Sequence, residues 1–207
     1  MKEFLKDHSY DMVKMFLNQF ATAIFGFSLV MAAGQAESPL LRNLTSAGSI
    51  LFYLFLIYIQ IWEIGGKDEM SHRVRGTKPN IYKGLLIALC ANVPNFILAG
   101  LITLGYAFPN NEVCTSIGFV GDLVTKFIHG MYLGLIQHEF AGGFRLMDQW
   151  WTFFLLPIPA LATCFAAYNI GRQGWHLTGI LAPVVPESDR PTKEERRKAR
   201  QEKKNKK

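Results

Sequence analysis

The sequence predicts an all-α, polytopic integral membrane bundle: four transmembrane helices plus one interfacial amphipathic helix, with five spans as the alternative. Three observations carry this. Half of the 207 residues are apolar, and the stretches 15–36, 45–62, 84–111 and 149–171 contain no Asp, Glu, Lys or Arg. Each is long enough to cross a hydrocarbon layer of about 30 Å, which takes about 20 helical residues. Lys and Arg gather in the segments between and after these stretches. A fifth apolar stretch, 117–138, carries a stripe of titratable residues that the other four lack.

The spans are placed near residues 12–34, 45–65, 82–107 and 149–171. In lipid every backbone N–H and C=O must find a partner within its own segment, so runs of this length form helices, not isolated strands. Lys2 and Lys6 precede the first run, and Ala32 to Ala36 could be read as a small-residue cleavage site. The apolar stretch is, however, longer than the roughly 7 to 15 residues of a signal-peptide core, so a retained span is the expectation.

Orientation follows from the basic residues. Residues 66–83 carry Lys67, Arg73, Arg75, Lys78 and Lys83, and the tail from Arg190 holds ten Lys or Arg against Glu194, Glu195 and Glu202. Short segments rich in Lys and Arg stay in the cytoplasm, which places both chain ends inside a cell (cytoplasmic) membrane. The net charge of +6 therefore belongs to the tail, which alone carries +7. Residues 1–182 form the transmembrane domain and 183–207 a basic cytoplasmic tail. That tail suits anionic lipid, RNA or a ribosome as partner, or serves only to set orientation. Thr192 and Glu195 are spaced as a capping box at its start.

An even number of crossings must join two cytoplasmic segments, so one of the three apolar stretches after residue 84 does not cross. Residues 117–138 are the weakest candidate, because Asp122, Lys126 and His129 recur at i, i+4 and i+7 on one helical face. Such a helix would lie in the outer boundary or pack across the mouth of the bundle. Five spans would leave ten basic residues outside. Trp62 and Tyr82 at the inner edge, Tyr106, Trp150 and Trp151 at the outer edge, and Trp175 just inside fit the four-span arrangement.

Two places could carry chemistry. Asn92, Pro94 and Asn95 lie in the middle of the third span, where proline frees the carbonyl of Cys90 and two amides arrive at the same depth. This is either an interrupted helix that presents polar groups to a solute, or a kink whose amides satisfy the freed carbonyl and a neighbouring helix. Pro157 and Pro159 interrupt the last span at a similar depth. The second place is the titratable group Asp122, Lys126 and His129, with His138 and Glu139 beyond. An Asp-Lys pair four residues apart is also the ordinary pattern of a solvated helix face, and adjacent His138 and Glu139 point apart.

Near the inner face, Lys14, Asn18 and Gln19 approach Gln60 and Glu63, and a Lys14 to Glu63 contact is geometrically possible. Gly130 and Gly134 are spaced as a close-packing pair. Cys90 and Cys164 sit in apolar runs and Cys114 in a loop, which gives no disulfide framework. No metal-ligand or catalytic spacing is present, so no cofactor is expected and an enzyme is not the favoured reading. The expected function is that of a non-enzymatic membrane component acting through helix or tail contacts in the lipid bilayer, with helix packing suited to a homo- or hetero-oligomer. The alternative is a small oligomeric transporter or channel with its site at Asn92, Pro94 and Asn95.

Overall fold

In a computed structural model, residues 2–35, 38–76, 80–140 and 142–173 are described. The predicted tail, 183–207, lies outside the described residues, as does Trp175. The elements in chain order are α1 (Lys2–Gln35), α2 (Pro39–Arg75), α3 (Lys83–Ala91), α4 (Val93–Ala107), α5 (Glu112–Ile128) and α6 (Leu133–Ile136). A two-strand hairpin, β1 (Glu139–Phe140) and β2 (Phe144–Arg145), follows, then α7 (Thr152–Leu155) and α8 (Ile158–Arg172).

Among the described residues, three helices are long and apolar enough to cross a membrane: α1, α2 and the 21-residue stretch Thr152–Arg172. The number rises to five when each of two bent pairs, α3 with α4 and α5 with Gly130–Ile136, is taken as one span. The chain is therefore an all-α protein with three to five membrane-length helices among the described residues.

Local chemistry sets the helix ends. Ser38 caps α2 by accepting a hydrogen bond from the Leu41 N–H on its side-chain oxygen, and Pro39 supplies a first-turn φ already suited to a helix. Gly76 ends α2 at φ +73°, a left-handed conformation that costs glycine nothing, and its N–H reaches His72 O at 2.7 Å. Asn111 caps α5 by accepting from Val113 N and Cys114 N at 3.0 and 3.3 Å. The helix therefore begins at Glu112, five residues before the expected 117, and it stops at Ile128, well short of 138. At its start α1, and at both ends α2, run past the predicted spans through segments that contain charged residues.

Two breaks shape the path. Pro94, which has no N–H to donate, bends α3 against α4 by 50° at Asn92. At His129 the chain turns by 80° into a 3-10 turn, Gly130–Tyr132. Gly105 and Gly118 lie face to face, so α5 runs back antiparallel along α4, and Gly121 sits against Leu101 and Ile102. Past the turn α6 leads to the start of α2. Gly134 abuts Arg42 O and Ser46, the Gly134 N–H donates to Ser46 Oγ at 2.9 Å, and His138 Nδ1 reaches Asn43 Nδ2 at 2.9 Å near the start of α2. The α5–α6 pair thus leaves from the end where α4 finishes and returns to the end where α2 begins.

Gly130 and Gly134 do serve close approach, but against two different helices: a Cβ at Gly130 would strike Ala23 O of α1. The tightest seam joins α2, α3 and α8. A Cβ at Gly65 or Gly84 would collide with Tyr168, and one at Gly171 with Trp62 O. Beside this seam Lys83 pairs with Asp68 at 2.7 Å, and the Tyr168 hydroxyl donates to the same carboxylate at 2.7 Å. The outer faces of the helices carry exposed Phe52 and Phe55, Ile97, Leu123 and Phe127.

Candidate functional site

The bend at Asn92 and the turn at His129 meet the middle of α1. Asn95, in the first turn of α4, donates from Nδ2 to Asn92 Oδ1 at 2.8 Å and to Gln19 Oε1 at 3.0 Å. Asn92 in turn donates to Ala88 O at 2.8 Å, a carbonyl that also accepts the Asn92 backbone N–H at 3.0 Å. On the other side of Gln19, His129 Nδ1 lies 3.2 Å from Thr125 O, so this nitrogen carries the proton. His129 Nε2 is then the acceptor for Gln19 Nε2, 3.4 Å away. Gln19, Asn92, Asn95, Thr125 and His129 are all at most 3% exposed.

This cluster contains no formal charge on a carboxylate, ammonium or guanidinium group. Two of its oxygens, Asn95 Oδ1 and Thr125 Oγ1, are buried and receive no hydrogen bond. Leaving a buried polar atom unmatched costs about 1–3 kcal/mol, so two at one level are a feature to be accounted for. The backbone of Gly130 presses on Ala23 of α1, and Gly26 of α1 presses on Met131, which holds the turn at a fixed depth beside Gln19.

Above the cluster, a cleft of about 390 Å³ lies between α4, α5 and the turn Leu146–Asp148. Asp122 and Lys126 form an ion pair on its wall, each side chain 26% exposed. Ile102, Tyr106, Phe119 and Met147 supply its apolar lining, and the Tyr106 hydroxyl donates to Asp148 O at 3.0 Å. The opposite flank of α5, with Val120, Leu123 and Phe127, is apolar and exposed.

The stripe read from the sequence is therefore divided. Asp122 and Lys126 face the cleft, whereas His129 points into the interior and joins Asn92 and Asn95. Glu139 is exposed on the hairpin, while His138 bonds Asn43, so neither reaches the other three. Among the described residues, no three His, Cys, Asp or Glu side chains are grouped to hold a metal ion. At the far end of the molecule Glu63 pairs with Lys67 of its own helix at 2.8 Å, not with Lys14. That hydrogen bond and the attraction of the carboxylate hold the Lys67 ammonium above its ordinary pKa. Asn18 and Gln60 do meet across α1 and α2, at 3.0 Å.

Sequence reasoning placed Gln19 near the inner face and did not single out Thr125. An uncharged glutamine well inside an apolar run was the available signal for the first. A threonine has none, because its hydroxyl ordinarily bonds the carbonyl one helical turn earlier. Comparison with known protein families, curated proteins and solved structures gives no match to this chain.

Proposed function

We propose that this chain is a four-span membrane protein, both ends cytoplasmic, that binds and passes a small polar solute through a mid-depth site. The observation that carries the proposal is the pair of unmatched buried oxygens, Asn95 Oδ1 and Thr125 Oγ1, where a helix break and a tight turn meet. Interrupted helices at mid-depth are how transporters expose polar groups to a solute within the bilayer.

The four spans are α1, α2, α3–α4 and α7–α8. In place of a helix lying flat in the outer boundary, α5 and α6 form a re-entrant pair that dips to the level of Asn95 and returns. This arrangement keeps the crossings even, as the basic residues of 66–83 and of the tail require. Non-helical backbone at depth is tolerated where protein encloses it, as α1 and α2 enclose the turn at Gly130. The exposed phenylalanine and leucine faces then meet lipid.

Thiol accessibility tests the site. In a chain with Cys90, Cys114 and Cys164 replaced by serine, Asn95→Cys is expected to react with a small water-soluble thiol reagent. Complete protection at that position would mean that the cluster is packing and not a pathway.

A second reading, a non-enzymatic component that docks on a partner helix, draws on Gly34, Gly48 and Gly100. These glycines are exposed and have open space beside them, as close-approach positions between membrane helices require. Its test is recovery of a stoichiometric partner from mild detergent, and a chain that migrates unaccompanied in several detergents would count against it.

A further inference from the structure

The donors and acceptors of the mid-depth cluster specify what can occupy it. Every N–H of Asn95 is committed, to Gln19 and to Asn92, and the His129 Nδ1 proton is directed to Thr125 O. What the cluster leaves open is the Asn95 Oδ1 acceptor and the Thr125 hydroxyl, which can both accept and donate. An occupant must therefore bring at least one hydrogen-bond donor, and can bring an acceptor beside it.

Charge narrows the class further. A cation stripped of water needs several oxygens around it or a compensating anion, and a free charge at this depth is costly. The cluster offers two open oxygens and no carboxylate. An anion would meet the Asn95 Oδ1 lone pairs and a single hydroxyl donor, with no cation to balance it. In the cleft wall above, Asp122 and Lys126 neutralise one another, so that approach attracts neither sign of ion.

We infer that the mid-depth site selects small, uncharged solutes that both donate and accept hydrogen bonds, an amide or polyol class, and rejects inorganic ions. This rests on the solute-pathway reading above.

The test uses the full chain reconstituted into phosphatidylcholine liposomes. Urea and glycerol influx is followed by stopped-flow light scattering, and sodium and rubidium uptake by filtration. Urea or glycerol is expected to enter faster than into protein-free liposomes, with ion uptake at the protein-free level. Thr125→Val, which keeps the side-chain shape and removes the hydroxyl, is expected to lower the facilitated flux about fivefold, the loss of one ordinary hydrogen bond. Asn95→Leu should lower it further, and Thr125→Val preserves the test if the leucine variant does not fold. Sodium or rubidium uptake matching or exceeding the neutral flux would overturn the assignment of solute class and leave the pathway standing. Neutral flux unchanged in Thr125→Val would also overturn it. If neither neutral solutes nor ions enter above the protein-free rate, the pathway itself falls along with the class.

Discussion

Gln19 is the residue on which the buried cluster turns, because it accepts from Asn95 and donates to His129 at once. Gln19→Leu leaves an Asn95 N–H and the His129 Nε2 lone pair without partners, at about 1–3 kcal/mol for each orphaned group. The expected outcome is a clear fall in the thermal unfolding midpoint in detergent. Thr125→Val is expected to do the reverse: it removes an oxygen that has no partner, so the midpoint should stay level or rise even as solute flux falls. Opposite signs in thermal scans of these two variants would separate a group held for function from one held for stability. A Thr125→Val protein that unfolds earlier would mean that its hydroxyl is structurally bonded.

Among the elements, the glycines divide into those pressed against backbone and those facing open space. Gly130 abuts Ala23 O, and Gly65 abuts the Tyr168 carbonyl, so neither neighbour can rotate away. Gly130→Ala and Gly65→Ala are each expected to destabilise by about 1–3 kcal/mol through overpacking. Gly100→Ala meets nothing and is expected to gain up to about 1 kcal/mol from helix propensity. Denaturant or thermal unfolding of the three variants checks the ordering. The sequence spacing flagged Gly130 and Gly134 but passed over Gly65, Gly84 and Gly171. Their roles depend on which helix lies opposite, and a short spacing pattern does not carry that information. The bend at Asn92 was legible because Pro94 breaks a helix by its own covalent structure. The turn at His129 was not, since no proline or unusual backbone angle marks it; α5 ends where contacts with α1 and α2 redirect the chain.

For the whole molecule, the proposed topology makes a prediction that a five-span path contradicts. Asn110→Cys and Phe144→Cys lie before and after the re-entrant pair and are exposed. In intact cells or oriented vesicles lacking the native cysteines, an impermeant thiol reagent added outside is expected to label both, and to leave exposed Asn80→Cys unlabelled until the membrane is opened. Labelling of position 110 and 144 from opposite sides would show that α5 and α6 cross.

Hydropathy runs and the placement of Lys and Arg were enough to identify an all-α chain with membrane-length helices, because solvation acts on each segment independently of its neighbours. The same holds for the Asn92–Pro94 break and for the apolar flank of α5. Which polar residues converge was settled only by packing. Gln19 and His129 are 110 positions apart and meet because α5 runs back along α4 and turns against α1. His129 shares a helical stripe with Asp122 and Lys126 but ends on the other side of a bend, buried where they line a cleft. Periodicity describes a straight helix, and the site exists because two helices here are not straight.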